Sequence, residues 1–166
     1  MKDITTGSIF TGEDGDISLT SNNGIIDTSG GTLNSSSETG NGGAVTLTAL
    51  KEIITGAINT RHTDLATSGN GGAITLTSGA SIDTSAGELV STSIYGDGGT
   101  VTLNADENII TDNIVTFSGG NNASAGNAGN IFLTSTTGAI DSSAGFLDAG
   151  ANIGNGGTIS LNGSRK

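Results

Sequence analysis

The chain has no cysteine and no proline among its 166 residues, 3% aromatic residues, and only five lysines and arginines. Without cysteine it uses no disulfides, which fits both the cytosol and a disulfide-free surface protein. Its net charge of −11 excludes nucleic acid as a natural partner, because phosphate binding needs clustered cationic side chains. No apolar run approaches the roughly 18 residues of a membrane span, so we expect no membrane insertion. The N-terminus lacks a signal peptide's apolar core, so an export signal would lie elsewhere in a longer chain or have been removed.

What the sequence does contain is a repeat. The pattern Gly-Asn-Gly-Gly-Ala-(Val/Ile)-Thr-Leu-Thr occurs at Gly40–Thr48 and again at Gly69–Thr77. With degenerate copies, the repeat starts are spaced by about 28 residues: Gly12, Gly40, Gly69, Gly96, Gly126 and Gly154. A fixed period of this size is typical of a solenoid built by stacking one small unit. Regular apolar columns, with Val or Ile followed two places later by Leu, argue against disorder despite the 29 glycines.

One repeat predicts three short strands. Residues 73–77 alternate between small or polar and apolar, so Ile74 and Leu76 are expected to point inward. A second strand is expected over 81–84 and a third over 88–91, after a bend at 85–87. Three strands and three bends in about 28 residues make one coil of a parallel β-helix. The sequence therefore predicts an all-β fold, a single β-solenoid domain over residues 1–166 with about six coils.

Two columns are expected to form the corner before the first strand of each coil. A glycine that recurs in every copy implies either a positive φ or an approach between coils too close for a Cβ. These structural corner glycines are Gly15, Gly43, Gly72, Gly99, Gly129 and Gly157. Two residues earlier, an asparagine ladder joined by side-chain amides is expected at Asn41, Asn70, Asn127 and Asn155, with Asp97 in the fourth copy and Glu13 in the first. A polar ligand site along this corner is the alternative.

Alternate copies differ, which predicts a double repeat of about 57 residues, the distance from Gly12 to Gly69. Odd copies carry Ile-Asp-Thr-like segments and even copies carry Ile-Ile-Thr. Aligned on the inward isoleucine, the next outward column is predicted to run Asp27, Thr55, Asp83, Thr111 and Asp141. Interleaved threonine would double the spacing between like charges to roughly 10 Å.

The segments Gly-Asn-Gly-Gly-Ala-Ile-Thr-Leu-Thr at 69–77, Ile-Ile-Thr-Gly-Ala-Ile-Asn-Thr at 53–60 and Gly-Ala-Ile-Asp-Ser-Ser-Ala-Gly at 138–145 resemble the filamentous haemagglutinin-like repeats of large secreted bacterial proteins, in the form common in cyanobacteria. The resemblance extends from Asp3 to Leu161. It implies a right-handed winding, an extracellular or cell-surface location in a bacterium, and a role as a fibre, adhesin or stalk. The sequence shows no secretion domain or distinct cap, so it is similar to a segment or a shortened relative of such proteins.

Groups that could carry catalysis are sparse. His62, the sole histidine, falls in a variable stretch and is expected to be a solvated loop residue rather than a general base. Acidic residues that could form a carbohydrate-cleaving patch fall at differing repeat positions: Asp14, Asp16, Asp97, Asp106, Glu107 and Asp112. Of these, Asp14, Asp16 and Asp97 are weak calcium candidates, although solvated acidic corners are the preferred interpretation. We therefore expect no enzyme activity, no cofactor and no metal.

The outward face of the first strand gives an alternative function. Its threonines repeat about 7 Å apart along a strand and about 4.8 Å apart between coils, an array of the ice-binding type: Thr46, Thr48, Thr75, Thr77 and Thr102. Phe132, Asn104 and Asn162 depart from the pattern. A polysaccharide-binding or polysaccharide-cleaving β-helix is a second alternative.

The two ends of the sequence predict axial contacts. Residues 3–9 match the second half of an even copy, and residues 154–161 match a first half. An uncapped strand edge is a template for strand addition, and a head-to-tail contact that does not close generates a filament. The expected partners are a second copy or the flanking repeats of a longer chain, and surface glycans. Self-association is expected at Ile4, Thr5, Ile9, Ile159 and Leu161.

Overall fold

The structure is a computed structural model that describes residues 2–120 and 126–164. The chain winds through three parallel sheets in turn, and each sheet takes one strand from every coil. Sheet A contains β1 (Ile4–Thr5), β4 (Ile26–Thr28), β7 (Ile53–Thr55), β10 (Ile82–Thr84), β13 (Ile109–Thr111) and β16 (Ile140–Asp141). Sheet B contains β2 (Ile9–Phe10), β5 (Leu33–Asn34), β8 (Ile58–Asn59), β11 (Leu89–Val90), β14 (Ile114–Val115) and β17 (Leu147–Asp148). Sheet C contains β3 (Ile17–Ser21), β6 (Val45–Ala49), β9 (Ile74–Ser78), β12 (Val101–Ala105), β15 (Ile131–Ser135) and β18 (Ile159–Gly163).

The predicted parallel β-solenoid with three strands per coil is confirmed. The strands β3 to β17 make five complete coils, β1 and β2 form part of a coil before them, and β18 begins another after them. Each strand pairs in register with its equivalents in the neighbouring coils, as when Leu76 lies between Leu47 and Leu103. The hydrogen bonds between strands therefore run along the axis of the solenoid.

The core is a set of aliphatic columns enclosed by the three sheets. Strand alternation points one side chain inward and the next outward, and the inward Ile, Val and Leu of the central coils have no exposed surface. Ile74 and Leu76 belong to this core as predicted. At the C-terminal end the same columns are exposed, since no described coil covers Ile159 (43% exposed) and Leu161 (46% exposed).

A column of threonines inside sheet A was not expected in the interior. Its four hydroxyls are buried and have no hydrogen-bond partner: Thr28, Thr55, Thr84 and Thr111. A buried unpaired hydroxyl costs about 1–3 kcal/mol. This column therefore carries a stability penalty that the strand alternation imposes.

Replacing Thr84 by valine should therefore raise the free energy of unfolding by about 1–3 kcal/mol, because the isosteric methyl removes the unpaired hydroxyl. Thr116→Val is the matched control, since Thr116 is equally buried but donates to Gly129 O at 2.7 Å. The control should lose stability. Denaturant titration measures the change in the free energy of unfolding of each variant, which should be positive for Thr84→Val and negative for Thr116→Val. A decrease for Thr84→Val would show that the Thr84 hydroxyl has a hydrogen-bond partner.

Candidate functional site

The outer face of sheet C is the most regular surface of the molecule. Pairing in register stacks its outward residues in two columns that run the length of the solenoid. The first column is Ser18, Thr46, Thr75, Thr102, Phe132 and Ser160, and the second is Thr20, Thr48, Thr77, Asn104, Thr134 and Asn162. All twelve side chains are uncharged, although the chain as a whole carries a net charge of −11. The expected threonine array of the ice-binding alternative is thus brought together on one face, interrupted by Phe132.

The outward column of sheet A differs from the prediction. The residues between the aspartates Asp27, Asp83 and Asp141 are Ile54 and Ile110, not Thr55 and Thr111. The inward isoleucine of the even coils is the first of the two consecutive ones, Ile53 and Ile109, which places each threonine one residue further on and inside. The two-coil alternation itself stands. It also appears inside sheet C, where the last inward residue runs Ser21, Ala49, Ser78, Ala105 and Ser135.

The sheet A aspartates are fixed by local hydrogen bonds. Asp27 Oδ1 accepts from Ser29 Oγ at 2.6 Å and Ser29 N at 3.0 Å, and Asp141 has the same arrangement with Ser143. These bonds from the serine hydroxyl and then the serine backbone hold the pKa of Asp27 and Asp141 below the usual value. The column therefore presents carboxylates at every second coil.

The corner positions require glycine because neighbouring coils approach too closely for a Cβ, and not because the backbone has a positive φ. None of the described glycines has a positive φ, so that part of the expectation is wrong. A Cβ at Gly43, Gly72, Gly99, Gly129 or Gly157 would collide with the carbonyl oxygen of the corner glycine one coil below. The coils stack with backbone directly on backbone here, and this leaves no room for a side chain.

A column of small hydroxyl residues, which the sequence analysis missed, closes each coil onto its corner glycine. Thr60 Oγ1 donates to Gly72 O at 2.7 Å, and Gly72 N donates back to Thr60 O at 2.7 Å. The same pair of contacts joins Thr116 to Gly129. The column contains Ser35, Thr60, Ser91 and Thr116. Ser91 keeps the backbone bond from Gly99 N, but its hydroxyl donates to Gly72 O of the coil below. Ala149, in the coil after Thr116, keeps only the backbone bond from Gly157 N. The signal of the column in the sequence is a Ser or Thr two residues after the inward Leu or Ile of sheet B.

The predicted ladder exists with different chemistry. Asn70 Oδ1 accepts from Asp97 N at 2.8 Å, and Asp97 Oδ1 accepts from Asn127 N at 2.7 Å, so each side-chain oxygen binds the backbone of the next coil. Asn41 Oδ1 accepts from Asn70 N and Asn127 Oδ1 accepts from Asn155 N in the same way, and the first rung is Asp14 rather than Glu13. Only an oxygen acceptor is needed, and this explains why Asp and Asn alternate freely here.

The three calcium candidates all accept hydrogen bonds from backbone N–H groups of the next coil. Asp14 and Asp97 are rungs of the ladder, and Asp16 Oδ1 accepts from Ala44 N at 2.7 Å. No group of three or more His, Cys, Asp or Glu that could hold a metal occurs in the described residues. Asp106 and Glu107 follow β12 whereas Asp112 follows β13, so the remaining acidic candidates lie at different corners.

A pair of substitutions at Asp97 tests the ladder. Asp97→Ala should lower the free energy of unfolding by about 0.5–1.5 kcal/mol, the usual net contribution of one hydrogen bond. Asp97→Asn keeps the acceptor oxygen and should be close to neutral in a thermal melt. If the asparagine variant loses as much as the alanine variant, the carboxylate charge itself is needed, and the acceptor interpretation is wrong.

His62 was expected to be a solvated loop residue, and this is wrong. Its side chain is 1% exposed and lies in an inward column beside Ser37. The ring fits because the chain after it makes an extra loop, residues 63–68, which covers this corner. Nothing in the lone histidine or in its variable surroundings signalled burial.

Comparison with family models, with curated proteins and with solved structures finds no match to this chain. Its class rests on the fold: it is a β-solenoid repeat protein with coils of about 28 residues and three parallel sheets. Among the residues that the structure describes, no helix is long and apolar enough to cross a membrane.

Proposed function

We propose that the chain is a non-enzymatic structural module of a bacterial extracellular or cell-surface protein, a rod that is extended by further coils at its ends. The observation that carries the proposal is the continuity of the three sheets up to an open C-terminal edge. There β18 is exposed along its whole length, and the half-exposed Ile159 and Leu161 continue the core columns. The resemblance to secreted haemagglutinin-like repeats supports the location and an adhesive role toward surface glycans.

The edge also continues a series of backbone donors. The first N–H of each sheet C strand donates to the next coil, from Ile17 N to Ala44 O at 2.9 Å up to Ile131 N to Thr158 O at 2.8 Å. Ile159 N is the next member of this series. A following coil, from a second copy or a flanking repeat, would receive that bond and cover the apolar columns.

The N-terminal end has the complementary form. Ile4 N and Thr6 N both donate to the coil above at 3.0 Å, so the N–H of Thr5 between them points away from the molecule. If a second copy docks head to tail, β1 and β2 lie on β16 and β17, and β3 lies on β18. Ile4 and Ile9 then cover the exposed ends of the sheet A and sheet B columns, and Asp14 N can donate to Asn155 Oδ1 to continue the ladder.

Light scattering and negative-stain electron microscopy of the purified chain test axial association. Ile159→Pro and Thr5→Pro each remove one outward N–H, and both should abolish elongation while the central coils stay folded by circular dichroism. Ile159→Val keeps the N–H and should still associate. A monodisperse monomer at high concentration would overturn self-association and leave extension by flanking repeats.

A second candidate function, ice binding, is favoured by one observation, the uncharged hydroxyl and methyl lattice on sheet C. Thermal hysteresis of the purified chain tests it directly. Thr75→Lys should abolish hysteresis by placing a charge in the centre of the lattice, whereas Asn59→Lys makes the same change on the outward face of sheet B and should not. Absence of hysteresis in the unmodified chain would remove this candidate.

A further inference from the structure

His62 occupies a column in which other coils carry a small hydroxyl residue. It pairs with Ser37 in the coil below, and the equivalent positions of two later coils are Ser93 and Ser118. Each of these two serines donates its hydroxyl to a glycine carbonyl of the coil below, Ser118 to Gly96 O at 2.9 Å. His62 Nδ1 makes the same contact with Gly40 O at 2.8 Å. Since Gly40 O can only accept, Nδ1 carries a proton in this contact.

The other ring nitrogen faces a second acceptor. His62 Nε2 lies 3.1 Å from Thr67 O, in the loop that covers the ring. A carbonyl oxygen accepts hydrogen bonds and cannot donate, while a neutral imidazole has only one N–H. Both contacts are hydrogen bonds only when the imidazole is doubly protonated, and in the neutral ring the Nε2 lone pair faces the lone pairs of Thr67 O.

Thr67, whose carbonyl faces the ring, also takes part in the hydrogen bonds that shape the loop over the ring. Thr67 Oγ1 donates to Asp64 Oδ2 at 2.9 Å, and Asp64 Oδ1 accepts from Ala66 N at 3.0 Å, so residues 64–67 form one small turn. Leu65 at its tip is 69% exposed and contributes little packing. Thr67 Oγ1 also lies 3.4 Å from Glu38 O on the exposed side, so the contact of Thr67 O with the ring is the one that fastens this turn to the buried interior.

The titratable and charged groups on the segments around the ring are Arg61 and Asp64 on its own strand and loop, Glu38 on the coil below, Asp14 beside Gly40, and Tyr95 and Asp97 on the coil above. Hydrogen bonds, first from Ala66 N and then from the Thr67 hydroxyl, hold the pKa of Asp64 below its usual value. Asp64 therefore stays ionised from about pH 5 to about pH 8.

We propose that His62 is a proton-dependent latch: the imidazolium holds residues 64–68 over the corner, and loss of the Nε2 proton to solvent releases this segment. The inference is independent of the proposed function. It gives the rod one local element whose order depends on pH.

Amide hydrogen exchange of residues 64–68 tests the latch, measured at about pH 5 and about pH 8, on either side of the ordinary histidine range, and corrected for intrinsic exchange rates. Protection in the unmodified chain should fall about tenfold or more between them, which corresponds to the loss of one charge-assisted hydrogen bond. Ring ¹⁵N shifts should show two protonated nitrogens at the lower pH.

His62→Ser is the matched variant, because serine is the residue that the later coils use in this column. It keeps a donor for Gly40 O, cannot reach Thr67 O, and shares every other titrating group. Its loop should exchange fast at both pH values while the strands stay protected. Equal protection at both pH values in the unmodified chain, or the same pH step in the serine variant, would overturn the proposal.

Discussion

Replacing Leu76 or Leu103 by alanine should lower the free energy of unfolding by about 2–5 kcal/mol, the usual range for large-to-small changes in a core. Both side chains are fully buried, and each lies between two other leucines in one column. A single coil encloses the core at each level, so the leucines above and below cannot move into the cavity left by alanine without breaking the register of their strands. Urea or guanidinium titration monitored by circular dichroism measures the loss.

The chain provides its own control for this prediction. Leu161 belongs to the same column but is 46% exposed at the open end, so Leu161→Ala should cost much less. Comparing the same substitution at two positions in one column thus shows how the loss of unfolding free energy depends on the position along the axis. Equal losses at Leu103 and Leu161 would mean that β18 is covered, either by a second copy in solution or by a different packing of the end.

Gly72→Val should destabilise the fold by about 3 kcal/mol or more, at or above the usual range for overpacking. A Cβ at Gly72 meets the carbonyl oxygens of Gly43 and Gly42, which are backbone atoms and cannot rotate away. The effect exceeds the roughly 1 kcal/mol that glycine contributes through conformational preference alone. Gly99→Val should behave alike, since its Cβ would meet Gly72 O.

Two controls distinguish a steric clash at the corner from the general effect of introducing valine. Gly30→Val introduces the same side chain where nothing lies within 4 Å of the new Cβ, and Thr75→Val keeps the volume on the outer face of sheet C. Both should shift the melting temperature little. A melting temperature that falls equally for Gly72 and Gly30 would show that the corner relaxes, and the close-approach interpretation would be wrong.

The coil was predictable from the sequence because its determinants recur. Ile74 and Leu76 have equivalents at every copy, and a repeated alternation of this kind has one simple solution, the stacking of inward columns. The glycine corner was located for the same reason. Its cause was not, because a positive φ and a close approach leave the same residue in the sequence.

The errors fall where the repeat gives no signal. Ile53 and Ile54 are both apolar, so period-two alternation alone does not say which of them is inward, and choosing Ile54 displaced the even-coil members of the outward column of sheet A by one residue. His62 occurs once, in a variable stretch, and its burial depends on Gly40 and Thr67, which only the fold brings to it. The ladder was located correctly, but its bonds to backbone N–H groups depend on the vertical offset between coils, which no single coil contains.

The axial direction of the inter-strand hydrogen bonds has a mechanical consequence. Tension applied between the two termini acts on every coil, but the terminal coil should detach first, because it is bonded to a neighbour on one side only. The next coil then becomes terminal and detaches in turn. Each coil rises about 4.8 Å along the axis but contains roughly 95 Å of extensible backbone. Each released coil would thus lengthen about twentyfold, coil after coil, while the coils further in stay folded and bear the same force.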